Sequence, residues 1–153
     1  MVYPGQHRAT ARVLLHNDAG EVFMLLTHFD PEVGLPPRWL TPGGGIDAGE
    51  NTRDAAVREL REETGIVLSP DQLGEPIFHR IGRWDWSDGN HHTYEDTIFQ
   101  LKVEGFEIDT SGWTQDEHRD VVVYRWWKPT ELLESGEAVA PHGLAEFLVG
   151  YLS

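Results

Sequence analysis

The sequence predicts an α+β domain in which helices cover a mixed β-sheet. Apolar residues at 9, 11, 13 and 15 alternate with polar residues at 8, 10 and 12, residues 52–64 contain neither glycine nor proline, and apolar residues recur at helical spacing near the C-terminus. A chain of 153 residues is long enough to bury a core of its own. Because no repeat or linker-like tract divides the sequence, we expect residues 1–153 to form one domain.

The first elements are predicted to be strands. The alternation that begins at Arg8 indicates a half-buried strand, whose outward face would carry Arg8, Thr10 and Arg12. Residues 22–27 form a nearly continuous apolar run, which favours a central strand, and the turn sequence at residues 17–20 joins the two. We therefore expect an antiparallel pair at the start of the chain.

The second half returns to strands and closes with helices. Three segments rich in β-branched and aromatic residues predict strands at 77–86, 94–103 and 121–127. Residues 104–120 contain two glycines and several acids, so they are predicted to be mostly loop. Pro129 is suited to the first turn of a short helix through Glu134, and Pro141 is expected to open the last helix.

Between these halves lies the segment that carries the chemistry. Pro42 and three consecutive glycines, 43–45, predict a loop with no regular element. Asn51 is a favourable N-cap for a helix that runs over residues 52–64, and Gly65 supplies a left-handed ending. On a helical wheel Val57 and Leu60 share one side, which we expect to be its buried face.

Three glutamates fall together on another side of this helix. Glu59, Glu62 and Glu63 have the i, i+3, i+4 spacing at which side chains converge, and like charges at that spacing weaken a helix. A hard divalent cation would remove the repulsion, and oxygen-only ligands favour Mg²⁺, Mn²⁺ or Ca²⁺ over thiophilic metals. The alternative for any single group of this kind is a solvated acidic surface.

The wider pattern bears on that choice. Gly44 is followed after five residues by Glu50 and after seven more by Arg58-Glu59-Leu60-x-Glu62-Glu63-x-Gly65-Ile66. This resembles the signature of the Nudix hydrolase family at all nine specified positions. The 23 residues 44–66 are called the box below.

The resemblance implies a fold, a reaction and a site. The implied fold is an α/β/α sandwich, a mixed sheet with helices on both faces. The implied activity is that of a pyrophosphohydrolase, which cleaves the diphosphate linkage of a nucleoside diphosphate joined to another group. It also implies that Glu59, Glu62 and Glu63, with the Gly43 carbonyl, bind Mg²⁺ or Mn²⁺. In the same pattern Arg58 orients the glutamates and Glu50 supports the loop before the helix.

The general base is less closely specified. Many family members place a further glutamate from a later segment over the metal, and the candidates in this chain are Glu117 and Glu95. We favour Glu117, because a loop ahead of a strand lets a carboxylate reach over the site. A glutamate of the box and simple surface solvation are the alternatives.

Two groups of residues are candidates for substrate binding. Arg80 and Arg83 are each suited to a diphosphate, yet they lie on opposite faces of one predicted strand, and the alternative for each is an edge ion pair. Aromatic rings that stack on a base are the second group, for which core packing is the alternative. The aromatic candidates are Trp39, Trp84 and Trp86.

Composition removes several classes of function. A net charge of −14 argues against long nucleic acid, so a small nucleotide is the expected partner. The absence of cysteine excludes disulfides, zinc–thiolate sites and the isopentenyl diphosphate isomerases, which share a Nudix-like fold. Without an apolar run of 18 residues or a signal-like start, we expect a cytoplasmic protein without a membrane anchor. A non-catalytic nucleotide sensor remains the alternative function, and the oligomeric state stays open, with a homodimer among the alternatives.

Overall fold

The structure, a computed structural model, describes residues 7–28, 37–85, 89–104, 108–115, 118 and 121–152. Within them the strands are β1 His7–His16, β2 Val22–Thr27, β3 Arg38–Leu40, β4 Gly43–Gly45, β5 Phe78–Asp85, β6 His91–Lys102 and β7 Val121–Trp127. The α-helices are α1 Thr52–Thr64, α2 Pro129–Ser135 and α3 Leu144–Tyr151. A single 3₁₀ turn, Pro70–Leu73, follows α1.

The strands form one mixed sheet in the order β3-β2-β1-β6-β5. β1 and β6 are parallel along the whole of β1, whereas the other pairings are antiparallel. β2 also pairs with β7, and β1 meets β2 at one register pair, His16 with Val22. The first half of β1 is therefore open on that side, and β4 fills the place.

The prediction of a loop at residues 43–45 was wrong, because these glycines form the strand β4. They pair with residues 10–12 of β1. A Cβ atom on Gly43, whose φ is 153°, would lie 2.4 Å from the Ala11 carbonyl oxygen. The glycines thus serve a close approach between two backbones rather than a flexible connection.

Apolar cores lie on both faces of the sheet. One core joins α1 to alternate residues of β1, with Ala11, Val13, Ala55, Leu60 and Phe99 among its buried members. The other core joins α2 and α3 to the opposite face through Leu14, Ile98, Leu132, Leu144 and Leu148. The predicted α/β/α sandwich is confirmed. None of the helices in the described part of the chain is long and apolar enough to span a membrane.

The box helix begins and ends as predicted. The Asn51 side chain accepts a hydrogen bond from the Asp54 amide at 2.8 Å, and Gly65 has a φ of 83°. Leu60 is buried, but Val57 is only partly buried, because α1 turns Ala55 and Ala56 toward β1 instead. The last helix starts at Leu144, three residues after the predicted start.

Candidate active site

Arg58 is the centre of the box. Its Nε and Nη2 atoms donate to the two carboxylate oxygens of Glu50, each at 2.9 Å. Nη1 donates to Glu59 at 3.0 Å and to Glu62 at 3.2 Å, while Nη2 also donates to the Gly45 carbonyl at 3.0 Å. The hydrogen bonds with Glu50 raise the pKa of Arg58, with a smaller contribution from Glu59. One guanidinium therefore ties the loop before α1 to two of the three glutamates.

Glu50 closes the loop that precedes the helix. Its Oε1 atom accepts a hydrogen bond from the Asp47 amide at 3.1 Å in addition to the pair from Arg58. The Arg58 hydrogen bonds lower the pKa of the Glu50 carboxyl below its ordinary value of 4.5, against the opposing effect of burial. Glu50 is thus a carboxylate that supports the loop, as the resemblance implied.

Glu59 and Glu63 also contact the strand β4. The Glu59 carboxylate lies against Gly44, where a Cβ atom would come within 2.6 Å of it. Glu63 is only 9% exposed and accepts a hydrogen bond from the Gly43 amide at 3.2 Å. The glycines of β4 accordingly leave space for one carboxylate and donate a hydrogen bond to another.

The donor set consists of carboxylate oxygens, which suits Mg²⁺ or Mn²⁺. Within the described residues, no three His, Cys, Asp or Glu side chains form a group that could hold an ion. In this structure the Arg58 Nη1 atom donates a hydrogen bond to each of Glu59 and Glu62. The residues fit a hard divalent cation by their chemistry and their common location on α1.

A polar cluster on β1 was missed by the sequence analysis. Arg8, Thr10 and Arg12 were expected to face solvent, but Arg12 is 5% exposed and Thr10 is 2% exposed. Thr10 donates a hydrogen bond to Asp96 of β6, and Arg12 Nε lies 3.8 Å from the same carboxylate. Arg12 also donates to the Thr41 carbonyl at 3.0 Å, which ties it to the segment before β4. The available signal was Asp96 of β6, which pairs with Thr10, the residue between the two arginines on one face of β1.

Arg8 differs from Arg12 in having no such partners. Its side chain forms no hydrogen bond or ion pair with any of the described residues. Burial lowers the pKa of Arg8, and the nearby charge of Arg12 lowers it further, whereas Asp96 and Glu59 act in the opposite direction. Arg8 is thus a partly desolvated guanidinium within electrostatic range of the box.

The structure describes one of the two candidates for the general base. Glu117 lies outside the described residues. Glu95 is on β6, where its carboxylate lies 2.7 Å from His79 Nε2 and 3.7 Å from His7 Nε2. The hydrogen bond with His79 lowers the pKa of Glu95. The contacts of Glu95 are therefore with histidines of β5 and β1 rather than with the box.

Of the predicted substrate-binding residues that the structure describes in full, Trp39 is on β3, whereas Arg80 and Arg83 are on β5. Trp39 is 3% exposed, packs edge-on against Trp127 and donates to Glu137, so it is a packing residue, the alternative left open above. Arg83 forms an ion pair with Asp85 at 2.8 Å, also the stated alternative. Arg80 is exposed and is paired in register with Asp96. Trp86 and the side chain of Trp84 lie outside the described residues.

Comparison with known proteins agrees with this geometry. The model of the NUDIX domain family matches residues 6–147. An RNA pyrophosphohydrolase of Caulobacter vibrioides is 41% identical over 151 residues, which cover 89% of this chain and 78% of that protein. An RNA pyrophosphohydrolase of Dinoroseobacter shibae is 30% identical over 137 residues, which cover 84% and 81%.

Solved structures agree in fold. The MutT protein from Methanosarcina mazei Go1 superimposes with a TM-score of 0.67 at 16% identity, over 98% of this chain and 96% of that one. The dihydroneopterin triphosphate pyrophosphohydrolase of E. coli gives a TM-score of 0.62 at 18% identity, over 99% and 98%. With the family match over nearly the whole chain and an intact box around Arg58, the chain belongs to the NUDIX domain family and is a Nudix hydrolase.

Proposed function

We propose that this protein uses Mg²⁺ or Mn²⁺ to hydrolyse the diphosphate linkage of a nucleoside diphosphate derivative. The observation that carries the proposal is the arrangement around Arg58, which holds Glu50, Glu59 and Glu62 while Glu63 is held by β4. A nucleotide sensor without catalysis would not need all of these glutamates, whereas the box retains each of them.

In this proposal, residues of the box and of β4 bind the cation, and other side chains orient the ligands and accept a proton. Glu59, Glu62, Glu63 and the Gly43 carbonyl are the proposed ligands. When bound, the cation supplies Lewis acidity and positive charge at the phosphoryl oxygens. Arg58 keeps two ligands oriented, and Glu117 is the residue we propose to take the proton from the attacking water.

The environment of Arg8 is a further argument for an anionic substrate. A guanidinium has five N–H donors, and one that is partly desolvated without hydrogen bonds is suited to a phosphate group. Arg8 adjoins Ala9, whose carbonyl accepts a hydrogen bond from the Ile46 amide of the box at 3.1 Å, so a phosphate on Arg8 would lie near the box. We propose that Arg8 binds a phosphate of the substrate, a role for which Arg80 and Arg83 were the candidates from the sequence.

The names of the relatives suggest which substrates to compare. Two are RNA pyrophosphohydrolases, and a third, from Escherichia fergusonii, is a nucleoside triphosphatase with 30% identity over 132 residues, 79% of this chain and 82% of that protein. A net charge of −14 favours short substrates over long RNA. The panel should contain nucleoside triphosphates, ADP-ribose, a dinucleoside polyphosphate and a short RNA with a 5′-triphosphate.

The test is release of phosphate or pyrophosphate with Mg²⁺ or Mn²⁺, after EDTA, and after the cation is restored. We expect turnover of at least one substrate, its loss in EDTA and its recovery. Undiminished turnover in EDTA would refute the metal assignment. Tight nucleotide binding with no turnover of any substrate would instead favour the sensor.

A further inference from the structure

The C-terminal end of the box helix is capped by residues that lie about fifty positions later. The last carbonyls of a helix have no partner within it and need one from outside. On α1, the Arg61 carbonyl accepts from the Gly65 amide at 2.9 Å. The Glu63 carbonyl accepts from the indole Nε1 of Trp113 at 2.7 Å, and the Thr64 carbonyl accepts from the Asp109 amide at 3.0 Å. Two of the three partners thus come from residues 109–113, the capping segment.

The capping segment is packed directly on the box backbone. A Cβ atom on Gly112 would lie 2.7 Å from the Glu62 carbonyl oxygen, so the two backbones are in close contact. The segment is itself folded by two turns, since Asp109 accepts from the Ser111 amide at 2.9 Å and the Trp113 amide donates to Thr110 at 3.0 Å. It is therefore a local structure that presents one indole N–H to α1.

Trp113 connects this cap to two other parts of the protein. Its ring packs against the core formed by α1 and β1. It also lies 5.3 Å from the His118 ring, at an interplanar angle of 50°. The indole is thus held by packing in a position where its N–H meets the carbonyl of a box glutamate.

The location of this hydrogen bond gives it a consequence for the site. Helix ends fray, and Glu62 and Glu63 are two of the last three residues of α1. A hydrogen bond to the Glu63 carbonyl restrains the backbone from which both carboxylates project. Because the hydrogen bond of Trp113 is with the backbone of Glu63, its effect on the site acts through the helix.

We propose that Trp113 is a positioning residue that sets the cation affinity of Glu62 and Glu63 by fixing the last turn of α1. The proposal rests on the proposed function in so far as these glutamates bind the cation. Its test is chosen to be readable without turnover.

The experiment compares Trp113→Phe with Trp126→Phe. Phenylalanine retains an aromatic ring at residue 113 but removes the N–H donor. Trp126 packs on the same core, edge-on to Phe23 at 5.5 Å, and provides the same chemical change away from the end of α1. Mn²⁺ affinity is measured by electron paramagnetic resonance, and hydrogen exchange is measured at the amides of residues 61–65.

We expect Trp113→Phe to weaken Mn²⁺ binding by about 2- to 10-fold, the range that one net hydrogen bond supports, and to speed amide exchange in the last turn. Trp126→Phe should lower the melting temperature without changing either quantity. To separate the N–H from ring size, Trp113 is also replaced by β-(3-benzothienyl)alanine, whose ring has sulfur in place of the N–H. This variant should match Trp113→Phe.

Wild-type Mn²⁺ affinity and exchange in both residue-113 variants would overturn the proposal. If the benzothienyl variant binds Mn²⁺ like the wild type while Trp113→Phe does not, ring packing rather than the hydrogen bond is responsible, and the proposal also fails. A wild-type protein that binds Mn²⁺ but hydrolyses nothing would refute the proposed function alone.

Discussion

Replacement of Arg58 by lysine tests whether the guanidinium, rather than its charge, organises the box. Arg58 donates five hydrogen bonds: two to Glu50 and one each to Glu59, Glu62 and the Gly45 carbonyl. An ammonium group has three donors on one nitrogen and cannot reproduce the planar pair toward Glu50. At least two hydrogen bonds are therefore lost even if the charge stays in place.

The magnitude follows from that count. Hydrogen bonds to charged groups contribute about 1.5–3 kcal/mol each. The Arg58 side chain is 22% exposed and that of Glu50 is 17% exposed, so solvent screens these bonds only in part. Allowing for what lysine recovers, we expect Arg58→Lys to lower the free energy of unfolding by about 2–4 kcal/mol. Misplacement of Glu59 and Glu62 should reduce kcat by about 10²-fold.

The same variant has a pH signature. The pKa of Glu50 is depressed in the folded protein, so the unfolded chain binds more protons as pH falls below about 4.5. The stability contributed by this pair is present above that pH and is lost as pH falls through the folded pKa. In Arg58→Lys the pKa of Glu50 returns toward its ordinary value, and the difference in stability from the wild type should therefore shrink below pH 4.5.

Chemical denaturation from pH 3.5 to 7.5, with kcat measured at neutral pH, is the assay. Arg53→Lys is the matched control on the same helix, because Arg53 pairs with a highly exposed Glu75 and donates to a loop carbonyl. Its cost should be about 1 kcal/mol or less, without a change in kcat. If Arg58→Lys and Arg53→Lys cost the same and the pH dependence is unaltered, our account of the box is refuted.

Three further predictions concern single contacts of the site. Gly44→Ala should reduce kcat with little loss of stability, because the atoms nearest to its methyl group belong to the movable Glu59 carboxylate. Gly43→Ala should instead cost about 1–3 kcal/mol of stability, because its methyl group meets the β1 backbone, and thermal melts with turnover measurements separate the two variants. Glu63→Gln should lower kcat by about 10²–10⁴-fold and weaken Mn²⁺ binding, and unchanged turnover would remove it from the ligand set. Glu117→Gln should lower kcat by a similar factor with Mn²⁺ affinity unchanged. Glu95→Gln should stay active, because Glu95 is paired with histidines. The reverse result would transfer the role of general base to Glu95.

The parts of the fold that the sequence predicted are those in which local signals and burial agree. The helix at 52–64 has an N-cap, a glycine ending and no breaker, and the strand at 22–27 is apolar up to Thr27. Glycines 43–45 were predicted to be a loop because glycine usually interrupts a sheet. Glycine is needed there because the backbone of this segment lies close to that of β1, which is a tertiary contact. Local propensity does not contain that contact.

The site shows the same division. The glutamates and Arg58 follow from spacing along one helix, since helical geometry fixes which side chains converge. The cluster at Arg8 and Arg12 depends on β6 pairing in parallel beside β1, a contact 86 positions apart that periodicity along one strand does not report. Alternation was interpreted as one solvated face, whereas both faces of β1 are buried over most of its length.

The electrostatics of the box explain why its stability and its chemistry are coupled. Three carboxylates, from Glu50, Glu59 and Glu62, contact the Arg58 guanidinium, and a fourth, from Glu63, is nearly buried against β4. Arg58 and the Gly43 amide satisfy hydrogen bonds but leave an excess of negative charge, because an amide contributes no net charge. That excess of negative charge opposes folding and favours the binding of a cation. A cation bound at the glutamates would therefore raise the free energy of unfolding, most strongly where Arg58 keeps the carboxylates close together.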